Sequence, residues 1–285
     1  MTKVSFLSVY VIMVCSGLLT GLDVAVAVQD RVLDRYVLFI DQRNVHDITS
    51  FMGSDRDVAE MILLQKAIIL GGFPNATFSF IENLPSVLRV ISVVESGHAD
   101  VSGTSIWKES LHDINIEQTL NLIEDNQFEV GVYVSPLNSK ALSVLSIEGL
   151  RELSFVSSSQ WIIDWETLTE LRIERLEDIT SWESMVHMIQ HGRVDALLAP
   201  FQSSADLSMA PYGFKMVPIP GIKIGLSGQR CLIVSRRRSN SRDILHALNR
   251  GLAIMKKDGT LSRAYRECGF FNDRVVDWTL IVPER

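Results

Sequence analysis

The chain opens with a long uncharged stretch. Residues 4–22 carry no charge and are mostly apolar, from Phe6 and Leu7 through Val9, Ile12 and Val14 to Leu18 and Leu19. Lys3 precedes this stretch, and Ala25-Val26-Ala27 follows Asp23. A positive start, an apolar core and a small-x-small site describe a secretory signal peptide, expected here over residues 1–27 with cleavage after Ala27. An uncharged run of this length can also cross a bilayer as a retained anchor, and the pattern leaves both readings open. Cys15 lies inside the run without the small residues that precede a lipoprotein cysteine, so no lipid anchor is expected.

Beyond the leader, strand-like and helix-like periods alternate. Tyr36-Val37-Leu38-Phe39-Ile40 is a short apolar run followed by polar Asp41-Gln42-Arg43-Asn44, which predicts a buried strand ending in a loop. Residues 54–70 predict a helix, with Val58, Met61, Ile62, Ala67 and Ile68 near one face and Gly71-Gly72 as its stop. Thr77 to Ile81 alternates as a strand, Pro85 opens a helix closed by Gly97, and Asp100 to Ile106 predicts the next strand. The second half follows the same plan. Strands are expected at Val130–Val134, Leu153–Val156, Ala196–Ala199 and Cys231–Val234. Helices are expected from Gln160, after a Thr180/Glu183 capping box, over Asp243–Lys257, and from Thr260 to Cys268. The stripe Trp182, Met185, Val186, Ile189 has the spacing of one buried helix face. The alternation implies α/β architecture with mostly parallel sheets flanked by helices.

One motif repeats. A helix, then Gly97-His98-Ala99-Asp100, then a strand recurs as a helix, Gly192-Arg193-Val194-Asp195 and a strand. Glycine supplies the left-handed cap, and the polar residue turns the chain into a parallel strand. Two such units suggest two lobes of like architecture.

Composition adds boundaries. The 285 residues carry a formal net charge of −7, and 47% of them are apolar, so the chain is globular and gives no electrostatic footprint for nucleic acid. After the leader only Cys231 and Cys268 remain; an oxidising compartment would permit a disulfide, but spacing alone does not decide it.

Three segments carry a family resemblance. Met185 to Leu198, with Gly192-Arg193-Val194-Asp195-Ala196, resembles the second lobe of family 3 extracellular solute-binding proteins, the amino-acid-type receptors of bacterial ABC importers. Val90 to Val101 resembles their first-lobe helix and Gly-x-x-Asp turn, and Leu245 to Tyr265, with Lys257-Asp258-Gly259-Thr260, is similar to their closing helices. The resemblance implies a two-lobed type II periplasmic binding protein-like fold. Lobe one would comprise residues 28–130 and 232–285, lobe two residues 138–225, with hinge crossings at 131–137 and 226–231. It further implies a monomeric periplasmic protein that captures a small polar ligand between its lobes for ABC-type import, beside an inner-membrane permease. A periplasmic sensory or interaction subunit signalling to a membrane partner is the alternative, and a dehydratase-like enzyme a weaker third.

The departures from that family bear on the ligand. Family members carry Arg in a Thr-x-x-Arg pattern to pair with a ligand carboxylate; here Thr104-Ser105-Ile106-Trp107 puts Trp107 at that place. An Asp expected after the second-lobe strand is replaced by Pro200. Free α-amino acids are therefore poor candidates. By position, the ligand-contact candidates are Asp41 and Arg43 after the first expected strand, and Thr104, Ser105 and Trp107 after the third. Ser158 and Ser159 stand before a helix N-terminus that favours an anion, and Phe201 and Gln202 follow the second-lobe strand.

Catalytic patterns are not evident. His187 and His191 have helical i, i+4 spacing but lack the Glu and third ligand of a zinc site, so no metal is expected. Ser157 to Ser159 lacks the Gly-x-Ser-x-Gly elbow, no phosphate loop is present, and no carboxylates pair as an acid and base. No cofactor is expected. Trp161, Trp165 and Trp182 fall in helical stretches, where packing is the ordinary role.

Overall fold

The computed structural model of the chain describes residues 21–284. The apolar run that motivates the leader lies outside the described residues. In chain order the elements begin with β1 (Asp23–Ala27), α1 (Asp30–Ile40), α2 (Arg56–Leu70), β2 (Thr77–Ile81) and α3 (Val87–Glu95). They continue with β3 (Val101–Ser102), β4 (Ile106–Trp107), β5 (Ile116–Ile123), β6 (Glu129–Val134), α4 (Ser139–Leu142), α5 (Ile147–Arg151) and β7 (Ser154–Ser157). Next come α6 (Ile162–Glu170), β8 (Arg175–Asp178), α7 (Trp182–Gln190), β9 (Ala196–Pro200), β10 (Val217–Pro218) and β11 (Ile222–Gly225). The last elements are β12 (Arg230–Ser235), α8 (Ser241–Lys257), α9 (Thr260–Glu267) and β13 (Thr279–Ile281).

Two sheets define two lobes. The first runs β2-β1-β3-β12-β4 with β5 also on β12, and the second runs β13-β11-β6-β9-β7-β8 with β10 on β6. In each, three parallel strands sit together: β1 between β2 and β3, and β7 between β8 and β9. The strand that enters from the other lobe runs antiparallel to this trio, β12 beside β3 and β6 beside β9. Both faces of each sheet are covered, so strands read as continuous apolar runs. In β12, Leu232 and Val234 enter one core while Cys231 and Ile233 enter the core on the opposite face. Cys231 and Cys268 thus serve different surroundings, and both are free thiols: Cys231 buried, Cys268 packed against the other face's core.

The repeated Gly-x-x-Asp motif has one job in both lobes. Gly97 and Gly192 adopt φ of +82° and +64° at the helix ends. Asp100 accepts the N–H of Ala25 in β1 at 2.7 Å, and Asp195 accepts the N–H of Ser154 in β7 at 2.9 Å. Each aspartate ties the start of the third parallel strand to the central one. Burial raises the Asp195 carboxyl, but hydrogen bonds from Ser154 and Asn138 outweigh it and hold the group below its ordinary value.

Several sequence expectations need correction. Residues 36–40 are not a strand; they end α1, whose Val32 and Tyr36 face the core four residues apart. The first strand is instead β1, inside the expected leader. Val24, Val26, Ala27 and Val28 are all at most 1% exposed, and β1 pairs on both edges. Cleavage after Ala27 would remove the central strand of lobe one, so that site is incompatible with the fold. The first crossing is at 124–128, between β5 and β6, because residues 129–134 are a central strand of the second sheet and not a hinge. The second crossing, 226–229, joins β11 to β12. The C-terminus does not end in lobe one: α8 and α9 pack there, but β13 returns to pair with β11. The cap of α7 is Ser181, not Thr180.

Candidate functional site

The carboxyl ends of the parallel strands place the candidate site. In lobe one, β1, β2 and β3 end at Ala27, Ile81 and Ser102, leading into the starts of α1 and α3 and the Gly103–Ser105 turn. In lobe two, β7 and β8 end at Ser157 and Asp178 beside the starts of α6 and α7. The lobes meet at these ends. A Cβ at hinge Gly228 would lie 3.0 Å from both Ile163 in the first turn of α6 and the ring of Trp107. A side chain there would press on both groups, which would have to give by a few tenths of an ångström. Ser227 N–H donates to Thr167 Oγ1 at 2.9 Å, fixing the crossing to α6.

Trp107 is an element of this junction. Its ring stacks on Phe128 of the first crossing at 5.8 Å and 12°, and Phe128 meets Phe270 edge-on at 4.6 Å. On its other side the Arg230 guanidinium carbon lies 4.7 Å from the ring centroid. Arg230 is 8% exposed and its Nε donates to Ser105 Oγ at 2.9 Å. Ser105 in turn donates from its N–H and its hydroxyl to Glu60, both at 2.7 Å, and Tyr265 donates to the same carboxylate at 3.0 Å. Burial, together with repulsion from Arg56, lowers the Arg230 guanidinium to about 10, where it remains a cation at neutral pH. Two of its donor groups, Nε and Nη2, thus serve Ser105, and an indole roofs the guanidinium.

The anion position in lobe two is also filled from within. Ser159 N–H and Oγ both donate to Asp178, at 2.9 and 2.7 Å. These bonds hold the Asp178 carboxyl below its ordinary value although it is exposed. Ser158 is buried, its Oγ accepting from Gln160 N–H. Parallel register produces the pairing, because Ser157 sits opposite Asp178.

The sequence-derived candidates therefore separate. Thr104, Ser105, Trp107, Ser158 and Ser159 lie at the strand ends that border the junction, Ser105 as a buried hub and Trp107 as packing. Asp41 and Arg43 do not. They follow a helix that runs away from the strand ends, and Arg43 bonds back to the carbonyls of Phe39 and Ile40. Phe201 packs edge-on against Trp278 at 5.5 Å, and the Gln202 carbonyl accepts from Arg274 at 2.8 Å, tying that loop to the returning C-terminal segment. Asp164 and Asp178 went unread. Asp178 ends a charged edge strand, Arg-Leu-Glu-Asp, which has no apolar signature. Asp164 is half-buried in the first turn of α6, and burial pushes its carboxyl up to about 6. A cavity of about 440 Å³ beside Arg151, Arg172 and β13 lies at the far end of α6 and shares none of these residues.

No protein-family model matches the chain, and no curated protein does. Solved structures share its fold. The probable amino-acid ABC transporter extracellular-binding protein ytmK of Bacillus subtilis aligns with a TM-score of 0.57 at 14% identity, over 90% of this chain and 100% of that one. The periplasmic VFT2 domain of Bordetella pertussis BvgS gives 0.52 at 13%, over 86% and 92%. Substrate-binding domain 2 of Lactococcus lactis GlnP, in an open conformation, gives 0.51 at 16%, over 86% and 94%. At such identities the likeness establishes a two-lobed type II periplasmic binding protein-like fold.

Proposed function

We propose that this chain is a periplasmic solute-binding protein that captures a small polar ligand between its lobes and delivers it to an inner-membrane permease for ABC-type import. One observation carries the reading. Two trios of parallel strands, β2-β1-β3 and β8-β7-β9, direct their carboxyl ends and helix starts to one junction. Crevices at such strand ends are where α/β folds bind ligands. Binding, rather than turnover, fits a junction whose polar groups are mostly paired with one another. The fold shared with substrate-binding domains supports the same role.

The internal pairing of Arg230 and of Ser159 favours a second reading, a sensory or interaction subunit whose signal to a membrane partner needs no tight ligand. Thermal unfolding against amino acids, peptides, sugars, polyamines and carboxylates separates the two. A ligand at a hundredfold excess over Kd stabilises the folded state by about 2.7 kcal/mol. A saturable upward shift with one chemical class supports the receptor reading. A flat response across the panel, with retention of a membrane protein partner, transfers the case to the sensory one.

A further inference from the structure

Lobe two presents an aromatic and acidic lip in which Trp182 packs against the core beneath and Trp161 stands exposed beside it. Trp161 is 38% exposed, and its ring centroid lies 6.1 Å from that of Trp182 at an interplanar angle of 42°. Trp161 follows β7 and Trp182 opens α7 after β8, so the pair stands on adjacent parallel strand ends. Asp178 lies on the same lip. Ser159 uses one position on each of its oxygens, which leaves further lone pairs for a donor. Asp164 lies three residues after Trp161, in the first turn of α6.

Charge points one way here. Among the described residues no Lys or Arg forms an ion pair with Asp164 or Asp178. Glu177 and Glu183 are exposed nearby in sequence, and His187 lies 3.8 Å from Glu183 and pairs with Gln190 at 3.0 Å. A desolvated carboxylate without a cation is costly, and burial alone raises Asp164 to about 6. Indole faces attract cations, most strongly ammonium groups that shed water easily. The Ser159 N–H and hydroxyl are already taken by Asp178, so an anion would have to displace that carboxylate to use them.

We infer that the lobe-two lip formed by Trp161, Trp182, Asp178 and Asp164 takes the ammonium head of a small organic cation. The inference rests on the cleft reading above and names the ligand class for it. The indoles supply π faces, Asp178 and Asp164 supply compensating charge, and lobe one closes over the remainder of the ligand.

The test uses the purified protein and two isosteric probes, choline and its uncharged carbon analogue 3,3-dimethylbutan-1-ol, read by tryptophan fluorescence and calorimetry. Choline is expected to quench saturably, and the neutral alcohol to bind about tenfold or more weakly. Trp161→Ala and Asp178→Asn are each expected to weaken choline about tenfold or more, with thermal unfolding of the free proteins confirming that both fold. Equal binding of the two probes, or no choline binding, overturns the inference. The thermal panel distinguishes the two levels. A shift by a neutral or anionic compound that Trp161→Ala leaves intact sinks the ammonium assignment and keeps the cleft reading; a flat response to every compound, choline included, sinks both.

Discussion

Asp164→Asn isolates the electrostatics of the lobe junction. The Asp164 carboxyl is raised from 3.8 to about 6 by burial, which its own backbone N–H only partly offsets. The folded state therefore binds this proton more tightly than the unfolded chain does. Below about pH 4 the group is protonated in both states and contributes no difference. Between about pH 4 and 6 the unfolded chain ionises first, so stability falls as pH rises, and above that range the loss is constant. A rise of this size corresponds to about 3 kcal/mol, at roughly 1.4 kcal/mol per pH unit. Asparagine keeps the shape and cannot ionise. The raised value already includes every favourable interaction of the charge, so the variant is expected to gain up to about 3 kcal/mol above pH 6. Other carboxylates, Asp178 and Asp195 among them, carry shifts of the opposite sign, so the difference between parent and variant is the quantity to measure. Urea unfolding at pH 4 and pH 8 is expected to give a difference of about 0.5 kcal/mol at the lower pH and one several times larger, in favour of the variant, at the higher. Equal stabilities at pH 8, or the same gap at both, would refute the argument that an uncompensated charge sits at the junction.

Four further outcomes follow from packing and pairing. Gly251→Ala puts a Cβ 2.0 Å from the Ala67 carbonyl where α2 and α8 cross, so a loss of about 3 kcal/mol or more is expected in thermal or urea unfolding. A chain beginning at Val28 lacks β1 and is expected to show no cooperative unfolding by circular dichroism, whereas one beginning at Gly21 unfolds cooperatively. Asp195→Ala releases the Ser154 N–H and is expected to cost about 2 kcal/mol at pH 7. Because the folded Asp195 carboxyl is depressed, this stabilisation is present above the unfolded value near 3.8 and fades as pH falls through the lower folded one. Ser227→Ala removes a buried hydroxyl that has no partner, and stability is expected to hold or rise by about 1 kcal/mol.

How much of this was legible in the sequence depended on whether local pattern and tertiary role agreed. Strands buried on both faces, such as Val130–Val134 and Cys231–Val234, appear as apolar runs because nothing polar can face either helix layer. The Gly-x-x-Asp echo was legible because a left-handed glycine and a strand-tying carboxylate are both local chemistry. Misreading began where apolar residues sit on the surface. Val37 and Leu38 are 59% and 78% exposed, so α1 shows a filled apolar run in place of a helical stripe. The true first strand has only five residues and borders an apolar leader-like run, which hid it. Edge strand β8, with exposed Arg175, Glu177 and Asp178, has no burial pattern to read. The Arg230–Ser105–Glu60 cluster joins residues 45 and 125 positions apart, which only the fold brings together.

The ligand question turns on which charges are already satisfied. A ligand carboxylate that takes the Ser159 N–H and hydroxyl has to displace Asp178, exchanging one anion for another with no gain in charge-assisted bonds. In lobe one a carboxylate that engages Arg230 competes with its Ser105 bonds and with the Trp107 indole. An ammonium group meets neither obstacle. It adds a cation where Asp164 has none and leaves the Ser159–Asp178 pair in place. The filled Ser159–Asp178 pair and the carboxylates without an ion-pair partner at the lip separate this junction from one built for free α-amino acids. The corollary is measurable in the same titration: choline binding should draw the Asp164 carboxyl down from about 6, so its affinity should rise from pH 5 to pH 7 and then level off. Pair-independent binding, flat across that range in the parent and unchanged in Asp164→Asn, would place the ammonium group elsewhere.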